Sequence, residues 1–314
     1  MSLFTILKRE NELGTLLPVN SAASIPNIPT RKNIFCKPTY QHRLFADVIS
    51  EIDIANKDSK RVRSVFCLND EYVWICGESK ILRLYNSQGK LVKSIKTKSG
   101  NWPMDITVTR NGYLAYSDSI DRTVNLVNDT GIKPLITLQG WKPQSVSGSS
   151  IGGLLIVMDS YDYNHAKVIH FCGYRVTQTI QFDADGFPLY SSGSIKYISE
   201  NRNLDICVSD CVAGAVVVVN QTGKFRFRYK GIYSENSCRP FKPFGITTDS
   251  QGWILTSDWY NQIIHILDQD GQLLGYIDCS FIDPYGVCVD TRGNLFATRY
   301  YGSKVIKFRN MRNK

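Results

Sequence analysis

The chain has only four histidines in 314 residues, and none of its nine cysteines stands in a Cys-x-x-Cys pair. That leaves no zinc-finger spacing and no redox dithiol motif. Long apolar runs are missing as well. The longest, Val212–Val219, is far short of the roughly 20 residues that a membrane span needs. The opening "MSLFTILKRE" has too short an apolar stretch for a signal peptide, and its charges follow that stretch rather than precede it. No window keeps a 3.6-residue period long enough for a helix. The cysteines are scattered, and some lie inside apolar runs such as Ile206-Cys207-Val208. They read as reduced thiols used as small hydrophobes, which favours a cytosolic or nuclear compartment; a soluble intracellular chain, cytoplasmic first, is the expectation.

What is present is a large apolar fraction, 43%, enough for a substantial core. The net charge is +9, unevenly spread. Residues 1–100 carry 16 basic against 9 acidic residues, residues 101–200 carry 7 against 9, and the remainder 14 against 10. Both ends are therefore basic, which favours an acidic partner or nucleic acid without choosing between them.

Residues 1–42 contain Pro-rich, Ser/Asn-punctuated text such as "LLPVNSAASIPNIPTRKNIFCKP", which reads as a mostly disordered leader. From Arg43 to Lys314 the chain is a series of short strands broken by turn residues. "LTSDWYNQIIHILDQDG" at 255–271 aligns without a gap on "AYSDSIDRTVNLVNDTG" at 115–131. Pro103-Met-Asp-Ile106, Pro143-Gln-Ser-Val146, Pro243-Phe-Gly-Ile246 and Pro284-Tyr-Gly-Val287 open successive units. Turn glycines follow at 112, 252 and 293, a Ser-Asp pair ends the second strand at 117–118, 209–210 and 257–258, and a further glycine comes at 131, 223 and 271. Six units begin near 62, 103, 143, 188, 243 and 284. A four-stranded repeat of about 40 residues is a propeller blade, which must stack on its neighbours to hide its faces. The sixth unit stops after "SKVIKFRN". "LFADVISEIDI" at 44–54 is placed to supply its missing strand and so remove two open sheet edges. The expectation is an all-β, six-bladed β-propeller closed by an N-terminal strand completing the last blade.

These motifs (Pro-x-Gly-Ile/Val, Asp-x-x-Gly, Ser-Asp and "NQIIHILDQDG") resemble the NHL repeat over roughly residues 44–311. "RSVFCLNDEYVWICGE", "SGNWPMDITVTRNG" and "YISENRNLDICVSD" look like the C-terminal propellers of tripartite-motif (TRIM) NHL proteins. In that family a RING finger recruits a ubiquitin-conjugating enzyme, and the propeller selects protein substrates or, in some members, binds RNA. This sequence has no RING, B-box or heptad run. The resemblance therefore implies substrate recognition for ubiquitination, and no ligase activity carried by this chain alone.

Motifs that hint at chemistry read better as scaffold. Gly148-Ser-Ser150-Ile-Gly152 matches a nucleophile elbow, but "LLIVMD" follows it, and that is a strand where the elbow needs a helix. His265 lies between Ile264 and Ile266, as a strand-face residue would. Asp268-Gln-Asp270-Gly271 and Asp183-Ala-Asp185-Gly186 lack the full spacing and closing Glu of a calcium loop. The inner-strand positions Asp105, Ser145, Gly245 and Gly286 offer a single carboxylate, too few for a lactonase-type calcium cage. No catalytic residue, metal or cofactor is expected, and the chain reads as a non-enzyme.

Loops entering the inner strands and loops joining strands two and three share one rim of a propeller. On it fall Arg61, Arg63, Glu78 and Lys80 of unit one; Trp102, Asp121 and Arg122 of unit two; and Trp141, Lys142, Tyr161 and His165 of unit three. Unit five adds Arg239, Lys242, Phe244, Trp259 and Tyr260, and unit six adds Tyr285, Arg299, Tyr300 and Tyr301. Aromatics and arginines dominate protein interface hot spots, and they also stack on bases and pair with phosphates. Ring closure gathers the basic residues of units five, six and one on one arc. A protein partner is the first expectation. Single-stranded RNA is the alternative, weakened by the rim acids Glu78, Asp121, Asp258 and Asp283.

Overall fold

The computed structural model describes residues 43–44, 46–54, 61–232 and 239–309. The expected leader, 1–42, lies outside the described residues. Within them there are strands, turns and no helix, arranged in six sheets. Each sheet is an antiparallel blade numbered in chain order, with its first strand innermost.

Blade one is Val62–Cys67, Tyr72–Gly77, Ile81–Asn86 and Leu91–Lys96. Blade two is Asp105–Val108, Leu114–Asp118, Thr123–Asn128 and Gly131–Thr137. Blade three is Trp141–Gly148, Leu154–Ser160, Ala166–Cys172 and Arg175–Ile180. Blade four is Lys196–Glu200, Ile206–Asp210, Ala215–Val219 and Phe225–Tyr229. Blade five is Pro243–Thr248, Ile254–Asp258, Ile263–Leu267 and Leu273–Asp278. Blade six is Pro284–Val289, Leu295–Arg299 and Lys304–Phe308, and Val48–Asp53 pairs antiparallel with the last of these. The ring closes where the sequence places it. One addition is unforeseen: Arg43–Leu44 pairs parallel with Leu273–Asp278 as a fifth strand on blade five.

Burial follows strand position. Second and third strands are sandwiched between neighbouring blades, so "AVVVV" at 215–219 is buried along its whole length. Outer strands face solvent, and Leu91–Lys96 is almost wholly exposed. The core is correspondingly split into clusters at the seams between blades, such as Ile198, Val208 and Val217 with Leu155 and Val168 across blades three and four.

The recurring Ser-Asp divides its labour. The serine ties one blade to the next: Ser117 Oγ donates to the Gln144 carbonyl at 3.3 Å, Ser257 Oγ to the Tyr285 carbonyl at 2.5 Å, and Ser209 Oγ to the Phe244 carbonyl. Thr298 does the same from blade six to Val62 of blade one at 3.3 Å. The aspartate holds its own loop. Asp118 accepts the Ile120 and Asp121 N–H groups, and Asp210 accepts that of Ala213. The inner-strand glycines serve close approach: a Cβ on Gly245 or Gly286 would strike the backbone of the next blade's inner strand, at Tyr285 and Arg63 respectively.

In the fourth unit Pro188 lies well upstream of the inner strand, bridging Phe182 in an insertion, and the strand begins at Lys196. One expectation needs correction. Cys67 and Cys288 are not free thiols but a disulfide joining the inner strands of blades one and six. These residues lie 221 apart, and only ring closure brings them together. This pair therefore gives no support to a reducing compartment. Cys76, Cys172, Cys207, Cys211 and Cys279 are free.

Candidate functional site

The entry loops and the loops between strands two and three do meet on one rim. Backbone bonds knit them together: Glu78 N–H to the Arg61 carbonyl, Tyr161 N–H to Gly140 and Tyr300 N–H to Asp283. On this rim, blades five, six and one assemble a continuous aromatic cluster. Tyr285 stacks on Tyr300 with ring centroids 4.5 Å apart, and Phe244 lies 4.5 Å from Tyr285. Trp259 touches Phe244, Tyr260, Tyr300 and Tyr301 at centroid distances of 5.0 to 6.2 Å. Tyr300 and Tyr301 meet edge-on at 4.8 Å. The Arg61 guanidinium sits 5.0 Å from the Tyr300 ring and 5.6 Å from the Tyr301 ring.

The members of this cluster differ in access. Tyr301 is 52% exposed, and Phe244, Trp259, Tyr260 and Tyr300 are half-buried. Tyr285, expected as a rim contact, is fully buried and forms the floor. Beneath it Tyr197, on blade four, crosses the axis and donates to the Arg63 carbonyl of blade one at 3.1 Å. Sequence reading missed Tyr197 because its unit lacks the Pro-x-Gly signature.

Charge on this arc is partly spent. Glu78 Oε1 accepts from both Arg61, at 3.3 Å, and Arg63, at 2.8 Å. Burial works against the Arg63 charge, but Tyr285, Glu78 and Tyr197 outweigh it and hold the guanidinium above its ordinary value. Lys242 donates its Nζ to the Cys211 carbonyl at 3.1 Å. Exposed Arg239 donates to the Tyr260 carbonyl at 3.0 Å. Arg299 occupies the position, at or next to the end of the second strand, held by aspartate in blades two to five, and it runs alongside Gly302.

The remaining expected residues lie apart from this cluster, in two places. On blade three, Lys142 Nζ lies 4.8 Å from the Tyr161 ring and 4.1 Å from that of Tyr163, and it donates to Tyr163 Oη at 2.7 Å. Trp141 carries Lys167 Nζ at 3.7 Å from its ring and packs against the seam core. Tyr163 was missed, although the alternating Tyr161-Asp-Tyr163 signals it. On blades one and two, Lys80 and Trp102 line a shallow groove, and Arg122 is exposed.

The axis itself holds a cavity of about 230 Å³ lined by the six inner strands. Asp105 at its base accepts from Ser64 at 2.6 Å, from Ser145, and from the Ile106 and Val146 N–H groups at 2.9 and 3.1 Å. Burial raises this carboxyl to about 6, against the downward pull of Ser145 and Ser64. Among the described residues no three His, Cys, Asp or Glu side chains gather as metal ligands. Ser150 lies in the turn between two strands and bonds Glu200. His265 is buried between Tyr229 Oη, 2.8 Å away, and Asp258, 3.3 Å away, as a strand-face residue.

No family model matches the chain, and no curated protein matches its sequence. Solved structures do. Regucalcin from Agrobacterium tumefaciens, described as a calcium-binding protein, aligns with TM-score 0.62 at 11% identity, over 86% of this chain and 96% of that one. A catalytically inactive virginiamycin B lyase from Staphylococcus aureus, solved with quinupristin, aligns with TM-score 0.59 at 15% identity, over 84% and 99%. The WD40 propeller domain of Doa1 aligns with TM-score 0.57 at 13% identity, over 84% and 97%. The chain has the β-propeller fold. At these identities the likenesses speak to the fold and to nothing finer.

Proposed function

We propose that this propeller is a non-enzymatic recognition module whose blade five–six–one rim binds a protein partner, in the manner of the substrate-reading propellers of TRIM-NHL ubiquitin ligases. One observation carries the reading. Trp259, Tyr300, Tyr301, Phe244 and Tyr260 form one contiguous aromatic surface at the rim, edged by Arg61. Rigid aromatic side chains bury large area at little entropic cost, and with arginine they carry most of the energy in protein interfaces.

The charge balance favours protein over single-stranded RNA. Glu78 already neutralises part of the Arg61–Arg63 pair, so the arc is not the continuous basic groove that tracks a phosphate backbone. A protein partner held on the aromatic surface loses binding by tenfold or more in Trp259→Ala, with modest dependence on salt. An RNA partner shows a steep log–log salt slope instead. Binding that survives Trp259→Ala and collapses with salt would overturn the reading.

A further inference from the structure

Along the rim, four of the six second strands carry an aspartate at or next to their ends: Asp118, Asp159, Asp210 and Asp258. Each is committed to loop N–H groups or to a buried cation. Blade one has Gly77 at this position and blade six has Arg299. The aspartate is thus replaced on the two blades that flank one seam of the ring, and the aromatic cluster of blades five and six adjoins that seam. Arg299 packs against Gly302, and Gly302 bridges Arg61 through the backbone. Arg61 lies over Tyr300, and Tyr300 stacks on Tyr285, which adjoins Arg63. Arg61 and Arg63 thus meet on Glu78 at the blade six–one seam, and Arg299 lies alongside Gly302 next to them. Among the described residues, the one carboxylate paired with any of them is Glu78, through a single oxygen. Asp283, also on this arc, is taken up by Gln262 at 2.9 Å.

Among the described residues the blade five–six–one arc holds three buried donors with no acceptor: Arg63 Nε, Trp259 Nε1 and Arg299 Nε. Buried polar groups in native proteins are almost always paired. Positive charge that one shared carboxylate leaves unmatched, set beside an aromatic wall, suits an acidic ligand. We propose that this seam is a carboxylate-recognition subsite, which takes an Asp or Glu side chain from a partner segment whose apolar residues lie on Trp259 and Tyr301. The guanidinium fork of Arg299 suits a carboxylate in a way that a lysine ammonium does not. The subsite rests on the rim reading above and narrows its ligand to an acidic–aromatic or acidic–aliphatic peptide.

The test pans a random displayed-peptide library on the full chain, with parallel selections on Trp259→Ala and Arg299→Gln proteins whose melting temperatures match the parent. The expected peptides carry an Asp or Glu at a fixed distance from a large apolar residue. The best of them, made synthetically, binds Arg299→Gln at least tenfold more weakly. Changing its acid to the amide weakens parent binding by a similar factor but leaves binding to Arg299→Gln unchanged, and Arg299→Lys restores only part of the loss. Peptides that depend on Trp259 but lack a required acid, or ignore Arg299, overturn the subsite and leave the rim intact. Peptides indifferent to Trp259, no enrichment at all, or tighter binding to a random single-stranded RNA oligomer overturn both.

Discussion

Asp105 is the residue whose chemistry is most at odds with its surroundings. Its carboxyl is buried near the axis, with a pKa raised from 3.8 to about 6, burial being the dominant cause. The folded protein holds this proton more tightly than the unfolded chain. Its contribution is therefore fully present below the ordinary carboxylate pKa and is lost as pH rises towards 6. The loss amounts to about 3 kcal/mol between roughly pH 4 and pH 7. Denaturant titrations across that range should show the fall in the parent and a flatter profile in Asp105→Asn. Equal slopes in the two proteins would show that the carboxyl is ionised throughout. The residue stood out in the sequence as the lone carboxylate among the inner-strand positions. Its serine partners, Ser64 and Ser145, come from the neighbouring blades, and only the ring brings them within reach.

The blades show how far local pattern reaches. Turn glycines are predictable because the hairpins need left-handed backbone: Gly252 and Gly271 have φ of +84° and +86°. The Ser-Asp pairs are legible as scaffold because they recur, although recurrence does not say that the serine bonds the next blade and the aspartate its own loop. Blade four hides its boundary because Lys196 and Tyr197 stand where other units have Pro-x-Gly. Lys196 is fully buried and pairs with Asp159 of blade three at 2.9 Å, where burial raises the Asp159 carboxyl and Lys196 draws it back down. Removing one partner leaves the other charge buried alone, so Lys196→Met should cost about 3–5 kcal/mol. The double variant Lys196→Met/Asp159→Leu should recover most of that loss. Chemical denaturation of both reads the difference, and a double variant no better than the single would mean that the pair matters for shape rather than charge.

At the scale of the whole molecule, the closing strand was readable because the last unit is one strand short and a strand-like segment precedes the first. The Cys67–Cys288 disulfide and the parallel Arg43–Leu44 strand were not, since both depend on where the closed ring places distant segments. The same dependence governs the rim. Its residue types could be picked out in sequence, but burial of Tyr285 beneath Tyr300 and sharing of Glu78 between two arginines are consequences of packing. The reversal to Arg299 was visible on aligning "ATRY" of blade six with "TSDW" of blade five; its meaning came from the neighbours it meets.

The most direct measurement places a photoreactive benzoylphenylalanine at Tyr301, and separately at Tyr174, an 87% exposed residue in a hairpin at the other end of blade three. The recognition account predicts discrete protein adducts at Tyr301, resistant to ribonuclease, absent from Tyr174 and lost when Trp259→Ala is added. Adducts equal at the two positions, indifferent to Trp259 or removed by ribonuclease would contradict it.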